Sequence, residues 1–347
     1  MLHTKTCLTC LSLALTLSLS SNGAERLQPW VKQGRILPPG FAGKESTRRL
    51  SAPSVVKLKN GRLRMYFWAI GDSGYQFVFA AECSPKKPTE WKMVSQQPLL
   101  GPDRSGNLRN QGPSFPFVVR RDDGPWLMYF CSWGSWAKPG ELSNRTSMAI
   151  SEDEGRTWKV IKEPLLPLGA AGTFDAGMTG SVCVIRDRGS YRMWYTAGER
   201  YLQMGNSKRG IVHLGYCTST NGIHWKRHPQ AVMSPRLKKV EPFEAVVSKP
   251  SVLKLSDGYH MWFSVYQLKG PGYQLAYASS NDGIHWNRAF DKRLLQLTPG
   301  GFDSRNQSYP NVVEVGDELW MYYVGNDFGN TGIGWAKMKK SQLAKIK

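Results

Sequence analysis

The chain has 347 residues, a formal net charge of +20 and an isoelectric point of about 9.8. This length allows one large domain or two ordinary ones. The positive charge fits either a solvated basic surface or an anionic partner. It does not indicate nucleic acid, because the chain has no nucleic-acid-binding motif and no dense run of Lys and Arg apart from the tail KMKKSQLAKIK.

Residues 1–24 have the pattern of a secretory signal peptide. Lys5 gives a positive start, an apolar run extends from Cys7 to about Leu19, and small residues lead to a cleavage site after Ala24. No other segment approaches the roughly 20 apolar residues that a membrane helix needs. We therefore expect an exported protein, secreted or periplasmic, without membrane insertion. For such a protein an acidic or sulfated polysaccharide is a more accessible partner than nucleic acid.

Four cysteines follow the signal peptide, each in an apolar, strand-like run. Their spacing gives no disulfide framework, so two disulfides and four buried free thiols are both open. Without a Cys/His cluster the sequence predicts no metal site and no cofactor, and a structural calcium ion is left open. We expect a monomer. These cysteines are Cys83, Cys131, Cys183 and Cys217.

After an N-terminal lead-in at 25–44, a unit of about sixty residues recurs five times within 45–340. Each unit has an apolar first strand with Pro or Gly, a polar turn, a second strand with a central Met, and a third strand. Short strands rich in Val and aromatic residues predict an all-β fold. Five four-stranded antiparallel units predict a single five-bladed β-propeller, followed by a basic tail at 341–347. The central methionines, which we expect in the core between blades, are Met65, Met128, Met193, Met261 and Met321.

Three units carry a turn after the third strand that ends in Trp: SEDEGRTW, STNGIHW and SNDGIHW. The first, residues 151–158, fits the Asp-box pattern S-x-D-x-G-x-T-W of sialidases. An Asx side chain bonds backbone amides in such a turn, Gly permits a positive φ, and Trp packs beneath it. In a propeller this turn lies on the face opposite the catalytic groups. The motif therefore indicates a blade more than it indicates sialidase chemistry.

Three acids stand just before first strands, where the loops reach the mouth of a propeller channel: Asp175 in FDAGMTGS, Glu244 in FEAVVSKP and Asp303 in FDSRNQSYP. Paired carboxylates are what glycosidic bond cleavage requires, one as general acid and the other as base or nucleophile. We predict Glu244 as the acid, with Asp303 and Asp175 as base or nucleophile and as pKa partner. The alternative is that each acid caps loop amides or pairs with a nearby cation.

Further residues of the same loops are predicted to bind substrate. The cations could hold a sulfate or carboxylate of a sugar or neutralise the neighbouring acids, and the Trp residues could stack on sugar rings or be buried. The predicted binding residues are Arg109, Asn110, Trp133, Trp136, Glu199, Arg200, Tyr201, Lys249, Arg305, Asn326 and Asp327.

The stretches KPSVLKLSDGYHMWFSVY, YQLAYASSNDGIHW and SYPNVVEVGDELWMYYVGNDFGNTGIGWA make nearly the whole mature chain resemble the five-bladed propeller glycosidases. That superfamily includes arabinanases, β-xylosidases, invertases and levansucrases, in glycoside hydrolase families 43, 32 and 68. The resemblance implies catalytic acids from the first three blades. In the first two blades, the corresponding positions here are Ser51-Ala52-Pro53 and Gln111-Gly112, which contain no acid. Only Asp175, in the third blade, matches a position at which the family has a catalytic acid, and it is Asp where the resemblance leads one to expect Glu.

The sequence thus predicts an exported glycoside hydrolase that acts on an anionic polysaccharide or oligosaccharide, sulfated or uronic. A non-catalytic carbohydrate-binding propeller is the alternative, favoured by the missing acids of the first two blades. A sialidase ranks third, since neither its arginine triad nor its Tyr–Glu nucleophile can be assigned.

Overall fold

A computed structural model describes residues 29–105, 109–134, 144–204, 207–237, 244–268, 272–289 and 294–346. This part consists of strands and turns, which confirms the all-β prediction. Its helical segments are the 3-10 turns Gly43–Ser46 and Lys340–Ile346 and the short turn Asn326–Gly329, and none is long and apolar enough to span a membrane. Cys83, Cys131, Cys183 and Cys217 are all buried free thiols. The predicted signal peptide lies outside the described residues.

The first two repeat units form separate four-stranded antiparallel sheets in chain order. Their first strands carry Pro53 and Pro116, and a polar turn joins each to its second strand. The sheets consist of β2 Arg49–Lys57, β3 Leu63–Ile70, β4 Gln76–Ser84 and β5 Lys87–Met93, and of β6 Gly112–Val119, β7 Trp126–Trp133, β8 Asn144–Ser151 and β9 Lys159–Leu166.

The third and fourth units lie in one eight-stranded sheet. Within each unit the pairing is antiparallel, and a single parallel bridge between Val212 and Val246 joins the two. The third unit comprises β10 Met178–Asp187, β11 Ser190–Met204, β12 Ser207–Ser219 and β13 Lys226–Arg227. The fourth comprises β14 Glu244–Leu255, β15 Gly258–Gln267, β16 Tyr273–Ser280 and β17 Asn287–Ala289.

The last sheet combines the two ends of the chain. Its order is β1-β20-β19-β18, so strand β1, which lies in the segment expected to be a lead-in, takes the place of a fourth strand. β1 runs antiparallel to β20, with Val31 opposite Lys337 and Leu37 opposite Ile333. The strands are β1 Val31–Leu37, β18 Ser308–Val315, β19 Glu318–Val324 and β20 Ile333–Lys339.

The first strands of the units contact one another in a closed ring, in the order β2, β6, β10, β14, β18 and back to β2. Four of the five junctions carry the same hydrogen bond, in which a backbone N–H of one first strand donates to a side chain of its neighbour. The pairs are Val118 N to Ser54 Oγ at 3.1 Å, Val252 N to Cys183 Sγ at 3.1 Å, Val312 N to Ser251 Oγ at 2.9 Å and Val55 N to Asn311 Oδ1 at 2.8 Å.

Each first strand has a register shift beside its Pro or Gly anchor. In four of them the residue before Pro has a positive φ: Ala52 at 48°, Phe115 at 50°, Lys249 at 49° and Tyr309 at 56°. A non-glycine residue rarely adopts this conformation, and the residue before Pro is ordinarily extended. These bulges therefore take the four side chains out of the regular alternation of their strands.

The second strands fill the space between sheets. All five central methionines are fully buried, as predicted. The aromatic residue after three of them reaches the Asp-box turn of the next unit. Tyr66 and Tyr129 donate from their hydroxyls to Gly155 O and Gly222 O, and Trp194 Nε1 donates to Gly283 O, at 3.0, 2.8 and 2.8 Å. These hydrogen bonds therefore connect the second strand of one unit to the turn of the next.

The Asp-box turn at 151–158 is closed by its own side chains. Asp153 Oδ1 accepts the backbone N–H groups of Arg156 and Thr157 at 3.1 and 2.9 Å, and Ser151 Oγ accepts that of Gly155 at 2.8 Å. Burial opposes ionisation of Asp153, but the hydrogen bonds that its carboxylate accepts from Thr157, Ser151 and Arg156 outweigh it and lower its pKa to about 2. The motif thus has a complete structural role.

Candidate functional site

Each of the three predicted catalytic acids is buried and forms an ion pair with a cation of the outermost strand of its own sheet. Asp175 accepts from Arg227 at 3.0 Å, Asp303 from Lys32 at 2.7 Å, and Glu244 from both terminal nitrogens of Arg288 at 2.9 Å. Arg227, Lys32 and Arg288 belong to β13, β1 and β17. The ion pairs therefore connect the start of a first strand (Glu244) or the loop before it (Asp175 and Asp303) to the edge strand of the same sheet.

The tyrosine of the second strand completes two of these networks. Tyr195 donates its hydroxyl to Asp175 at 2.9 Å, and Tyr323 donates to Asp303 at 3.0 Å. Burial opposes ionisation of Asp303, but hydrogen bonds from Lys32, Thr298 and Gln307 outweigh it and lower the pKa of this carboxyl. A lowered pKa holds Asp303 in the ionised form, which excludes it as a proton donor near neutral pH.

The second unit has the same ion pair with its charges exchanged. Arg109, in the loop before β6, donates to Glu163 of β9 at 2.9 Å, and Ser132 of β7 donates to the same carboxylate at 2.7 Å. The feature that recurs between units is thus an ion pair between the start of the first strand and the outermost strand, and the acid can be at either of these two places. The recurrence favours a structural role for Asp175, Glu244 and Asp303, and for the predicted binding residue Arg109.

Two adjoining cavities of about 320 and 640 Å³ lie where the first strands begin and where the second and third strands join. They share Arg209, Tyr273 and Phe328 in their walls. The smaller cavity is also lined by Phe115, Trp133, Asn144, Met178, Ser181, Thr196, Tyr201, Lys208, Gly210, Val212, Val246, Ser248 and Tyr309. The larger one is also lined by Tyr266, Gly272, Leu297, Ser304, Arg305, Asn306 and Asp327.

Aromatic rings in contact with one another form much of the cavity walls. The ring centroids of Phe115 and Tyr309 are 5.0 Å apart, those of Tyr273 and Tyr309 5.6 Å, and those of Tyr273 and Phe328 5.4 Å. Phe115 and Tyr309 are two of the bulge residues that precede Pro, and Phe328 also has a positive φ, of 65°. Unusual backbone conformations therefore place three of the rings.

The cavity walls are positively charged. Among the described residues no carboxylate lines the smaller cavity, whereas Lys208 and Arg209 do. Arg209 packs its guanidinium 4.1 Å from the centre of the Tyr266 ring and donates to the Tyr266 hydroxyl at 2.9 Å. Stacking on an aromatic ring fixes the guanidinium without neutralising it. In the larger cavity the lining carboxylate is Asp327, which is bound by Arg305.

Of the other predicted binding residues, four line the cavities: Trp133 and Tyr201 the smaller one, Arg305 and Asp327 the larger. Trp133 is anchored by a 2.6 Å hydrogen bond from Nε1 to Ser114 Oγ. Asn326 is buried and supports the larger cavity, because its Oδ1 accepts the backbone N–H of Arg305 at 2.7 Å.

Four further predicted binding residues, all of them described, line neither cavity: Asn110, Glu199, Arg200 and Lys249. Arg200 pairs with Glu199 at 2.8 Å, and Glu199 also bonds His213 Nε2 at 3.2 Å. Asn110 precedes β6 and lines neither cavity, and Lys249 is fully buried. Trp136 lies outside the described residues.

The sequence did not identify the aromatic and basic residues that dominate these walls. Phe115 and Tyr309 had a usable signal, since each directly precedes the Pro that anchors its first strand. Arg209 had none, because nothing in the sequence SKRG at the start of β12 indicates that Tyr266 lies against its guanidinium. The missed residues are Phe115, Lys208, Arg209, Tyr273, Tyr309 and Phe328.

No family model matches the chain. Two uncharacterized proteins from Mycobacterium tuberculosis strains are each 25% identical over 311 residues, which is 89% of this chain and 99% of theirs. Sucrose-6-phosphate hydrolase of Escherichia coli is 34% identical over 133 residues, 35% of this chain and 25% of that protein.

Solved structures resemble the chain along most of its length. A glycoside hydrolase superposes with a TM-score of 0.69 at 17% identity, covering 89% of this chain and 91% of its own. A thermostable family-43 glycoside hydrolase superposes with a TM-score of 0.64 at 16% identity, and the match covers 83% of this chain and 88% of that one. A structure from the GH130 family, described as containing glycoside hydrolases that target β-1,2 mannosidic linkages in Candida mannan, gives 0.63 at 15%, covering 92% and 93%. The chain has the fold of the propeller glycosidases.

Proposed function

We propose that this protein is an exported glycoside hydrolase that binds an anionic carbohydrate in the two adjoining cavities. The observation that carries the proposal is a cavity wall of aromatic rings with Lys208 and Arg209 and without a lining carboxylate in its described part. Aromatic faces pack against sugar rings, and a guanidinium forms charge-assisted hydrogen bonds to carboxylate or sulfate. The glycosidase fold supports the hydrolytic part of the proposal.

The architecture we propose is a five-bladed propeller in which each repeat unit is one blade. The closed ring of five first strands supports this count, and the parallel bridge between Val212 and Val246 would then join two neighbouring blades. In this arrangement strand β1 completes the last blade and holds the two ends of the chain together.

The placement of the acid–base chemistry follows from which carboxylate faces the cavities. Glycosidic cleavage requires a carboxyl group within reach of the sugar. Asp327, although paired with Arg305, lines the larger cavity, whereas Asp175, Glu244 and Asp303 line neither cavity and are paired with cations of the outer strands. We therefore rank Asp327 as base or nucleophile above these three, whose catalytic assignment stays a prediction.

Hydrolysis is tested by incubating the wild-type protein and Asp327→Asn with uronic, sulfated and neutral oligosaccharides and measuring new reducing ends. The proposal predicts product from an anionic member of the panel, and at least a hundredfold lower rate for the variant with unchanged substrate affinity. Release from neutral sugars alone would contradict the anionic specificity, and an Asp327→Asn variant with full activity would contradict the assignment of Asp327.

A non-catalytic carbohydrate-binding protein is the second candidate. It is favoured by the smaller cavity, whose described wall has the features of a binding site but no carboxylate. Saturable binding of an anionic glycan without any product across the panel would establish it. The Asp-box gives no support to a sialidase, because its side chains are fully used in closing the turn.

A further inference from the structure

A lysine at the centre of the ring has no partner for its charge. Lys249 is fully buried, and its Nζ forms no hydrogen bond. The groups around it are the Phe117 ring, whose centre is 5.8 Å away, and the thiols of Cys131 and Cys183. In the part of the chain that the structure describes, no carboxylate forms an ion pair with it. A buried ammonium without a counter-ion is costly, so its presence requires an explanation.

Lys249 does not line the smaller cavity but adjoins the part of its wall formed by Thr196 and Ser248, which we call the floor. Its N–H donates to Thr196 Oγ1 at 3.0 Å, and both Thr196 and the preceding residue, Ser248, line that cavity. The bulge before Pro250 places Lys249 at the same position as Phe115 and Tyr309, whose rings do reach the cavity. The Lys249 side chain instead lies beneath the floor, among Phe117 and the two thiols.

The groups named around Lys249 are a phenyl ring and two thiols, which screen its positive charge only weakly, so this charge can act on the adjoining cavity. Burial lowers the pKa of Lys249 to about 8, an effect that the two thiols oppose only in part, so the ammonium form still predominates at pH 7. In an apolar surrounding a charge is felt over several ångströms with little screening. No acid on the described wall of the smaller cavity cancels this field.

We propose that Lys249 determines the preference of the cavity for an anionic group without touching it, by supplying an unpaired positive charge beneath the floor. The ligand class is a carbohydrate carrying carboxylate or sulfate, and this role depends on the function proposed above. It differs from direct contact with the substrate, the role predicted from the sequence, because the buried Nζ is enclosed by the core. Proteins commonly keep strained or unpaired groups at functional sites although these groups lower stability, and Lys249 would be such a group.

The test compares Lys249→Met with the wild-type protein and with a matched control. Lys254→Met removes the same charge from the same strand, but Lys254 is exposed and lies over Tyr259, 4.2 Å from its ring centre. Sodium sulfate and sodium glucuronate, with glucose as the neutral probe, are titrated at pH 7 and constant ionic strength. Calorimetry measures affinity and thermal unfolding measures stability.

We expect Lys249→Met to weaken binding of both anions about tenfold, and Lys254→Met to stay within twofold of the wild type. The ligand-free Lys249→Met protein should melt higher, by about 2 °C or more, because an apolar side chain of similar length replaces an unpaired buried charge. A merely structural lysine would not produce opposite changes in stability and anion affinity. If the Met variant does not fold, Lys249→Gln removes the charge and keeps a polar end.

Unchanged anion affinity in Lys249→Met, a lower melting temperature, or the absence of saturable anion binding to the wild type would each overturn the role of Lys249. These outcomes are separate from the fate of the proposed function. Product release from the oligosaccharide panel would support hydrolysis even if Lys249 had no effect on the ratio of anionic to neutral affinity.

Discussion

The outer ends of the sheets and the central cavities use charged groups in opposite ways. At the outer ends Asp175, Glu244 and Asp303 each meet a cation of the outermost strand, so charge is paired and buried. Around the cavities Arg209 stacks on a tyrosine ring, and the Lys249 ammonium has no hydrogen-bond partner among the described residues. The difference teaches that an acid just before a first strand can serve as one partner of a buried ion pair, whereas these two cations beside the cavities have no carboxylate partner in the described structure.

The largest effect should come from breaking an outer ion pair. Glu244 and Arg288 are both at least nine-tenths buried and share two hydrogen bonds of 2.9 Å. Glu244→Gln removes the charge that accepts both hydrogen bonds from the buried Arg288 guanidinium, so we expect the free energy of unfolding to fall by about 3 to 5 kcal/mol. Urea denaturation measures it.

Lys87→Met, at the exposed Lys87–Glu90 pair, is the control and should change the free energy of unfolding by less than about 1 kcal/mol. A Glu244→Gln protein as stable as the control but without activity would instead restore the catalytic assignment of Glu244.

The exchanged pair of the second unit allows a sharper test of the same idea. Arg109→Glu and Glu163→Arg should each lower the free energy of unfolding by about 2 to 4 kcal/mol, since each places like charges together. The double variant restores opposite charges and should recover at least half of the loss. If the double variant loses as much free energy of unfolding as the two single variants together, Arg109 and Glu163 do not act as a simple charge pair.

Removing a cation from the cavity wall should lower ligand affinity and leave stability nearly unchanged, in contrast to breaking an outer ion pair. Arg209→Met removes a cation that has no carboxylate partner in the described structure, so we expect about a tenfold loss of affinity for an anionic oligosaccharide, or about 1.4 kcal/mol. The free energy of unfolding should change by less than about 1 kcal/mol. Calorimetric titration and urea denaturation of the same samples separate the two effects, and a variant that loses stability and keeps affinity would assign Arg209 to the scaffold.

Acid should weaken the ion pair between Asp303 and Lys32. The pKa of Asp303 is lowered in the folded protein, so its contribution to stability is fully present above its unfolded pKa, near 4, and is lost as pH falls through the folded value. Wild-type protein should therefore lose more stability between pH 5 and pH 3 than Asp303→Asn, which does not titrate. Equal losses in the two proteins would show that Asp303 is not selectively stabilised in its ionised form.

The fold was largely predictable, whereas the site was not. The repeat predicted the strands because Pro, Met and the Asp-box turns recur at the same places in successive units, and each has a local cause. The ion pairs were hidden because their partners are remote: Lys32 and Asp303 are 271 residues apart. Strand β1 was hidden for the same reason, since it has no neighbour in sequence with which to pair.

The cavity walls escaped prediction because they depend on backbone irregularity. Alternation along a regular strand would not reveal that the residue before Pro turns inward, as Phe115 and Tyr309 do at their bulges. Likewise, nothing local to Arg209 indicates that Tyr266, 57 residues away, orients its guanidinium. Contacts of this length arise from the closure of the ring.

The most direct test is calorimetric titration of wild-type protein with a matched pair of oligosaccharides that differ only in a carboxylate, one with glucuronic acid and the other with glucose. We predict that the acidic oligosaccharide binds at least tenfold more tightly and that Arg209→Met removes most of this difference. Equal affinity for the two, or a preference for the neutral one, would contradict the claim that the unpaired cations select the ligand.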